Sequence, residues 1–485
     1  MTVTPSRRQV IQLAAASSLG YAAGGYRPLF AQTPDLLIQG GRVVNADGVR
    51  QVDVRIRGEK IAEVGPGLRS TGATRVVDAR GKLVMPGGVD PHTHIDGSFA
   101  DDLESGSRAA LAGGITSVGT FAFARSGETV LDAIGRMQAQ AVTQTIADLF
   151  LHGIAWPPTA EFRSGLDGMA AAGHPSSKLF MPMPDFHAQL SDVIGMLEAA
   201  SAAGVVCMAH CEDPALLAAA VRRLTAAGRT SLAHYAESRP EIAEVAATEL
   251  AVALCESTGA PIYVVHLSSA RALAVCHAAR RRGLPFYVET RPLYLHYTAD
   301  KLAGPDGPLF VGQPPLRARE DSDALWAGLA DGTIDVLATD HAPWTRAQKL
   351  DPALSISNLR PGMSDLQAML PIYYSEGVRK RGLSLERFVA TTSTNPARIF
   401  GLYPQKGVIR EGSDADLAIW DPEARWTVRA ADDHSRADYS VYEGWEVTGR
   451  PVMTIRRGEV VAEAGRVGAV PGSGRVITRP RWRRS

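Results

Sequence analysis

Two histidines and an aspartate near residue 90 have the types and spacing of metal ligands. The segment Asp90-Pro91-His92-Thr93-His94 closes a short apolar run. Successive side chains of a strand point to opposite faces, so His92 and His94 would point to the same side and could bind one ion. A single histidine at a strand end is usually a hydrogen-bonded core residue, but this pair beside an aspartate favours a metal site.

Three further metal-capable side chains end apolar runs later in the chain. They are His210 in "VVCMAHCED", His266 in "IYVVHLSS" and Asp340 in "DVLATDHAP". Imidazole nitrogens and carboxylate oxygens are ligands that zinc takes in open catalytic sites. If the runs bring their ends together, four imidazoles and one carboxylate form a zinc site. Four other histidines follow turns or lie in helical segments and are predicted to be surface residues: His187, His277, His296 and His341.

The elements that would position these side chains alternate regularly. Eight β-branched or apolar runs alternate with segments of helical spacing, a pattern typical of repeated βα units. Helices are expected, for example, at 240–258 and 270–282, with Gly204 and Gly259 at helix ends. Eight units predict a (β/α)8 TIM barrel, an α/β fold whose chemistry lies at the C-terminal strand ends. The runs are residues 83–94, 115–123, 148–156, 177–182, 205–210, 262–267, 286–290 and 334–340.

Two segments outside this pattern, 35–82 and 413–468, have the alternation of hairpin strands. Neither could bury a core alone, so both chain ends are predicted to meet in one small β-sandwich beside the barrel. The last residues, 475–485, hold five arginines and are predicted to be solvated or to embrace a partner. The predicted domains are a β-sandwich from residues 32–84 and 405–470, a barrel from 85–404 and a basic tail from 471–485.

The N-terminus has the layout of a signal peptide. Arg7 and Arg8 precede an apolar, Ala-rich stretch at residues 13–23, which resembles a twin-arginine (Tat) signal ending near Ala31. The stretch is too short to span a bilayer, and no other apolar run approaches the required length of about 18 residues. We therefore expect export to the periplasm without a stable membrane anchor. A cytoplasmic location is the alternative.

Composition narrows the class of partner. Lysine plus arginine number 51 and aspartate plus glutamate number 51, which gives a formal charge of zero. No global field would attract nucleic acid or an anionic membrane, so a small neutral substrate is expected. The four cysteines are too scattered for a disulfide framework and are predicted to be buried apolar residues.

Seven motifs spread over the chain point to one known family. They are "GGVDPHTH", "HCED", "VVHLSS", "PPLR", "ATDHAPW", "TSTNPARIFGLYPQKGVIREGSDADLAIWDP" and "DYSVYEGWEVTGRPVMTIRRGEVV". These motifs resemble those of the amidohydrolase superfamily, and within it those of dihydropyrimidinases and hydantoinases, which hydrolyse carbon–nitrogen bonds in cyclic amides. The resemblance also implies a homotetramer or a homodimer.

The resemblance implies a dinuclear zinc site. His92 and His94 with Asp340 would hold the buried ion, and His210 with His266 the more exposed one. Lys178, in "SSKLFMPMP", falls at the place of the family's carboxylated lysine, which bridges the two ions. A hydroxide shared between the ions would attack the amide carbonyl, and Asp340 would pass the water proton to the leaving nitrogen.

Four positions bear on the substrate. Gln313 in "GQPPLR" and Asn358 in "SNLRPGM" stand where family enzymes bind the ring through main-chain groups. Met183 stands five residues after Lys178, where the family has a tyrosine that donates to the developing oxyanion, and a thioether cannot donate this bond. Arg291 in "ETRPLY" stands where the family often has cysteine. It could bind a substrate carboxylate or form a salt bridge at the barrel rim.

These departures keep other functions open. Met183 and Arg291 suggest a related amidohydrolase that acts on another carbon–nitrogen bond, in an allantoin-like ureide, a dihydroorotate or an N-acyl amino acid. A non-catalytic scaffold is the third hypothesis. It is disfavoured because all six ligand positions of the family are filled in this chain.

Overall fold

The computed structural model describes residues 35–72 and 74–484 of the protein. The predicted signal sequence at residues 1–31 lies outside this range, so export stays a prediction. Within the described residues, no helix combines the length and the apolar character that crossing a bilayer requires.

Seven short strands form the N-terminal part of the described chain. Four of them form one sheet in the order β5-β4-β1-β6, while β7, β2 and β3 lie at one end of a second sheet. Their bounds are β1 (Leu36–Gln39), β2 (Arg42–Asn45), β3 (Gly48–Gln51), β4 (Asp53–Arg57), β5 (Lys60–Gly65), β6 (Arg75–Asp78) and β7 (Leu83–Pro86).

The next eight strands form a parallel barrel in which each strand pairs with its successor in the chain. Apolar side chains such as Val89, Phe150, Met208 and Val265 fill its interior. The predicted α/β barrel is therefore confirmed. The strands are β8 (Gly88–Thr93), β9 (Ile115–Phe121), β10 (Asp148–Ile154), β11 (Ser176–Phe180), β12 (Val206–His210), β13 (Ile262–Val264), β14 (Phe286–Thr290) and β15 (Val336–Leu337).

Contacts between the first and last strands close the barrel. Thr93 forms a parallel bridge with His341, and the amide of His94 donates to the carbonyl oxygen of His341 at 2.7 Å. The hydroxyl of Thr339 donates to Asp90 at 2.6 Å across the same seam. These bonds bring the C-terminal ends of β8 and β15 side by side.

The run 83–94, predicted as one strand, is two strands. β7 belongs to the sandwich and β8 to the barrel, and the chain passes from one sheet to the other at Gly87. A β-carbon on Gly87 would come within 2.3 Å of Thr116 Oγ1. Only glycine fits at this close approach, which marks the change of sheet.

Helices connect the barrel strands. The helices predicted at 240–258 and 270–282 are confirmed. The helices that end at Gly204 and Gly259 do so with φ values of 64° and 69° at these glycines, in the left-handed region. The helices are α1 (Leu103–Ala112), α2 (Val130–Gln144), α3 (Ala160–Ala171), α4 (Leu190–Ala203), α5 (Pro214–Ala226), α6 (Tyr235–Ser238), α7 (Glu241–Thr258), α8 (Ala270–Arg281), α9 (Pro292–His296), α10 (Arg319–Asp331), α11 (Arg346–Lys349), α12 (Met369–Tyr373), α13 (Leu385–Val389) and α14 (Asn395–Ile399).

The C-terminal strands complete the second sheet. Its order is β19-β18-β17-β16-β7-β2-β3, with Leu417 of β16 opposite Pro86 of β7. Apolar residues of both sheets, among them Leu36, Ile56 and Ile455, share one buried cluster. This confirms a small sandwich built from both chain ends, while the domain boundaries stay a prediction. The strands are β16 (Leu417–Thr427), β17 (Glu446–Arg456), β18 (Glu459–Glu463) and β19 (Arg466–Val467).

The basic tail lies against the floor of its own barrel, at the N-terminal strand ends. The amide of Leu149 donates to the carbonyl of Arg475, and the amide of Trp482 donates to the carbonyl of Gly204. Between them, Arg479 is buried and donates to Leu151 O at 2.7 Å and to Ser176 Oγ at 2.8 Å. The prediction of a solvated or partner-embracing tail is therefore wrong for residues 475–482.

Removal of the buried arginine of the tail should destabilise the barrel. Arg479→Met leaves buried oxygen acceptors without a donor, which should cost about 1–3 kcal/mol and lower the midpoint of thermal unfolding. Arg481→Met removes an exposed ion pair with Asp167 and two long hydrogen bonds, to Ala203 O at 3.3 Å and Asp167 O at 3.4 Å. It should cost less than about 1 kcal/mol. Equal midpoints for the two variants would show that the tail does not support the fold.

Candidate metal centre

The four histidines predicted as ligands lie together at the C-terminal ends of the barrel strands. The ring centroid of His92 lies 5.6 Å from that of His94 and 5.5 Å from that of His266, and His266 lies 4.5 Å from His210. Burial lowers the pKa values of His92, His210 and His266 below their usual value. These imidazoles are therefore neutral, which is the form that binds a metal.

Asp340 joins the histidine pair. Its Oδ1 lies 3.2 Å from Nε2 of His92 and 3.3 Å from Nε2 of His94. One ligand atom from each of these three residues lies within 4.8 Å of the others, which is close enough to bind one ion. Burial would raise the pKa of Asp340, but the charge of Arg291 outweighs it and holds this pKa well below its usual value. Asp340 is therefore a carboxylate.

Lys178 points its amine at the same centre. It lies on β11 and is 2 % exposed, with Nζ 3.0 Å from Nε2 of His92. The rings of Phe121 and Phe180 lie 5.1 and 5.5 Å from Nζ. Burial lowers the pKa of Lys178 to about 8. Part of the amine is therefore neutral at neutral pH.

The other two buried lysines of the described chain have full sets of acceptors. Lys349 donates to three main-chain carbonyl oxygens at 2.8 to 3.0 Å. Lys406 lies within 3.2 Å of three carboxylates. Lys178, in contrast, makes no salt bridge to any described residue. Burial lowers the pKa of Lys349 as well, so Lys178 differs from the other two amines in its lack of a full set of acceptors.

The second pair of histidines has its own supporting carboxylate. Nε2 of His210 donates to Glu212 at 2.7 Å, which leaves Nδ1 of His210 for a metal. Burial would raise the pKa of Glu212, but Arg239 and His210 bring it to about 2. Nδ1 of His266 is buried without a hydrogen-bond partner among the described residues. A buried unpaired nitrogen costs free energy unless a ligand or water fills the site, so this donor set fits a metal ion.

Glu289 orients the first histidine and was missed in the sequence. Its carboxylate accepts from Nδ1 of His92, from the hydroxyl of Tyr263 and from the amide of His266, each at 2.8 Å. Nε2 of His92 is thereby left to face the centre. Strand alternation gives a signal that could have found it, because Glu289 and Arg291 lie two residues apart where β14 ends.

Replacement of Glu289 should weaken metal binding. Burial raises the pKa of this carboxyl group to about 8, so the prediction rests on its hydrogen bond to His92 and not on its charge. Glu289→Gln keeps the volume but replaces one of the two oxygens that hold His92, Tyr263 and the amide of His266. Metal affinity should therefore fall about 10- to 100-fold in competition with a chelating dye. Glu244→Gln is the matched control, because Glu244 is also buried at the mouth but bonds to Ser268. Equal metal affinity in the two variants would contradict the role given to Glu289.

The structure gives no direct support to two of the predicted substrate-binding positions. Met183 is half-buried in the loop after β11 and packs on the main core. Asn358 is exposed, and its amide and carbonyl pair with Ser355 at 3.1 and 2.9 Å. The main-chain groups of Asn358 are thus already paired, and their contact with a substrate stays a prediction.

Gln313 is connected to the centre through a chain of polar contacts. With its carboxamide oxygen facing Arg239, Gln313 accepts from Nη1 at 2.8 Å and from Nη2 at 3.0 Å. Arg239 forms an ion pair with Glu212, which in turn bonds to His210. Gln313 is half-buried, and its contact with a substrate also stays a prediction.

Arg291 forms a buried salt bridge, which is one of its two predicted roles. The side chain is fully buried, and Nη1 donates to Oδ2 of Asp340 at 2.8 Å. His341 lies nearby and is also fully buried, so its prediction as a surface residue is wrong. Nε2 of His341 donates to Asp101 at 2.8 Å, and its Nδ1 accepts from the amide of Asp365 at 3.1 Å.

Aromatic side chains form an apolar wall beside the centre. The ring of His94 lies 5.4 Å from Phe99, 5.0 Å from Phe121 and 6.3 Å from Phe123. Trp344 meets Phe99 edge-on at 5.0 Å. Such a wall excludes water and strengthens the electrostatic interactions at the centre.

Comparison with known proteins identifies a family model and relatives that match most of this chain. Residues 83–461 match the sequence model of the amidohydrolase family. A D-hydantoinase from Ralstonia pickettii is 33% identical over 462 residues, which cover 93% of this chain and 100% of that protein. A D-phenylhydantoinase from Escherichia coli O1:K1 is 34% identical over 454 residues, covering 92% and 98%.

Solved structures agree with these relatives. A dihydropyrimidinase from Brevibacillus agri superposes with a TM-score of 0.89 at 33% identity, covering 93% of this chain and 100% of that one. An L-hydantoinase from Arthrobacter aurescens gives a TM-score of 0.85 at 32% identity, covering 92% and 100%.

Proposed function

The chain belongs to the amidohydrolase family, and we propose that it is a metal-dependent hydrolase that opens the ring of a cyclic amide or ureide. Its relatives are named hydantoinases and dihydropyrimidinases, and they match this chain along nearly their whole length. The observation that carries the proposal is the meeting of His92, His94 and Asp340 at the barrel mouth, with Lys178 beside them.

The proposed centre holds two zinc ions. His92, His94 and Asp340 would hold one, His210 and His266 would hold the other, and a carboxylated Lys178 would be shared. Neutral imidazoles and carboxylate oxygens suit zinc. The ions would supply an activated water and polarise the scissile carbonyl.

The surroundings of Lys178 support its proposed carboxylation. A pKa of about 8 leaves part of the amine neutral, and a neutral amine can add carbon dioxide. The nitrogen forms a bond to the carbon and releases a proton, so the product is an anionic carbamate with two oxygen donors. The absence of any salt bridge to Lys178 among the described residues leaves the amine free to react.

Asp340 is the proposed proton carrier. Its Oδ1 lies beside the two histidines of the first site, so it is placed to accept the proton of the attacking water. The same carboxyl group would then give this proton to the leaving ring nitrogen, which completes opening of the ring. Phe99 and Phe121, whose rings lie beside that of His94, would keep bulk water from the reacting bond.

The second candidate is a related enzyme that cleaves another carbon–nitrogen bond, and Met183 favours it. This thioether cannot replace the hydroxyl donor that the resemblance leads us to expect, and loss of such a donor costs about 2.7–4 kcal/mol in the transition state. Allantoin, dihydroorotate and an N-acyl amino acid therefore belong in the substrate panel beside hydantoin and dihydrouracil.

Removal of the metal tests the proposed function. Treatment with a chelator should abolish ring opening of the best substrate in the panel, and zinc added back with bicarbonate should restore it. The mass spectrum of the intact metal-loaded protein, taken under native conditions at neutral pH, should carry the added mass of one carbon dioxide, and Lys178→Ala should lack it. Full activity in protein shown to be free of metal would refute the proposed metal-dependent function.

We also propose export by the Tat route and assembly into a homodimer or homotetramer. The twin arginines Arg7 and Arg8 support export. N-terminal sequencing of protein from a periplasmic fraction should give a start near residue 32, whereas a start at Met1 in the cytoplasmic fraction would refute export. Sedimentation of the mature protein as a monomer would refute assembly.

A further inference from the structure

Arg291 is a buried cation placed between two carboxylates at the barrel mouth. Its Nη1 donates to Oδ2 of Asp340 at 2.8 Å, and its Nη2 lies 3.4 Å from Oδ2 of Asp365. The side chains of Arg291 and Asp365 are fully buried, and that of Asp340 is 12 % exposed. A guanidinium has a rigid planar set of donors, so two fixed carboxylates determine its position and orientation.

The second carboxylate is itself held in place. The amide of Asp365 donates to His341, whose other ring nitrogen donates to Asp101 at 2.8 Å. Asp101 also accepts from the hydroxyl of Ser435 at 2.6 Å and from the amide of Arg436 at 2.7 Å. This chain of bonds anchors the Arg291–Asp365 pair to the segment before β17.

The opposite side of Arg291 is closed by main chain. A β-carbon on Gly312 would lie 3.2 Å from Nη1 of Arg291 and 3.1 Å from a methyl group of Leu293. The guanidinium therefore fills the space between Asp340 and the segment that carries Gln313. It is fully shielded from solvent and has no open path to a ligand in the mouth.

The two carboxylate oxygens of Asp340 have different partners. Oδ2 is bound to Arg291, while Oδ1 lies within 3.3 Å of Nε2 of both His92 and His94. We propose that Arg291 is a positioning residue that turns Oδ1 of Asp340 towards the metal, and that it does not bind a substrate carboxylate. The inference rests on the proposed metal site.

Three variants separate these roles. Arg291→Lys keeps the charge but loses the planar pair of donors. Arg291→Met combined with Asp365→Asn removes one positive and one negative charge, so the net charge of the barrel mouth is unchanged. This double variant is used if the single substitution fails to fold. Arg479→Met, at the other end of the barrel, is the matched control for loss of a buried arginine.

The first measurement is the rate at which zinc-loaded protein releases zinc to a chelating dye. Arg291→Lys and the double variant should release zinc about 10- to 100-fold faster than the wild type, whereas Arg479→Met should not. The second is steady-state kinetics on hydantoin and on its carboxylate-bearing analogue hydantoin-5-acetate. For both rings kcat should fall, while KM stays within about twofold of the wild type.

Some results would contradict the positioning role of Arg291, and others would contradict the proposed function. Unchanged zinc release in Arg291→Lys, or a rise in KM confined to hydantoin-5-acetate, would overturn the positioning role. If the wild type binds zinc but opens neither ring, the proposed function fails, and zinc release alone still decides the role of Arg291. If the wild type binds no zinc, both proposals fall.

Discussion

Asp340→Asn should lower kcat for ring opening by about 10³-fold or more in protein that still holds metal, because asparagine cannot accept the proton of the attacking water. The amide keeps nearly the same size and can still contact Arg291 through its oxygen. The effect should therefore fall on kcat, with a smaller effect on KM. Steady-state kinetics with metal content measured on the same sample would check this.

A second aspartate of the same part of the chain provides the control. Asp335 lies just before β15, is buried and forms an ion pair with Arg280 at 3.0 Å. Asp335→Asn should lower thermal stability but leave kcat nearly unchanged. If Asp340→Asn kept more than about one tenth of the wild-type kcat, Asp340 would not be the proton carrier.

Lys178→Ala should remove most of the bound metal and ring-opening activity together. The variant loses the ligand proposed to be shared by both ions, and loss of one catalytic metal ligand exceeds the 10- to 100-fold effect of an outer partner. The truncated side chain also leaves a cavity, and a small carboxylic acid such as propionate could enter it. Added propionate should then restore part of the metal content and of kcat.

Lys349→Met separates loss of this ligand from simple loss of a buried amine. Lys349 is as buried as Lys178, but its three partners are main-chain carbonyl oxygens. Its substitution should lower the midpoint of thermal unfolding without changing zinc content, and propionate should have no effect. A Lys178→Ala variant with full zinc content and wild-type kcat would contradict the proposed bridge.

Some features could be predicted from sequence because they depend on local pattern. The eight βα units depend on runs of five to twelve residues, and the pair His92 and His94 depends on the period of a single strand. The barrel then brings the strand ends together, so distant residues such as His266 and Asp340 could be placed at one mouth without knowing any contact.

Other features depend on contacts between distant parts of the chain. Glu289 lies 197 positions from His92, and Asp101 lies 240 positions from His341, so no local pattern pairs them. Lys178 was identified by resemblance alone, because burial in a barrel is a tertiary property that its neighbours in sequence do not reveal.

The C-terminal tail shows that the composition of a segment does not predict its burial. Five arginines close to the chain end have the composition of a solvated segment. Arg479 is nevertheless buried, because carbonyl and hydroxyl oxygens on the barrel floor need a donor. Composition describes the residues of a segment, but it does not describe the surface on which they pack.

The most direct test of the central claim is ring opening of hydantoin and dihydrouracil by protein whose occupancy by two zinc ions has been confirmed. We predict that at least one of the two rings opens and that the activity disappears when the zinc is removed. If the metal-replete protein opens neither ring, the claim of cyclic-amide hydrolysis of this type is contradicted. The search would then turn to acyclic and carboxylate-bearing amides.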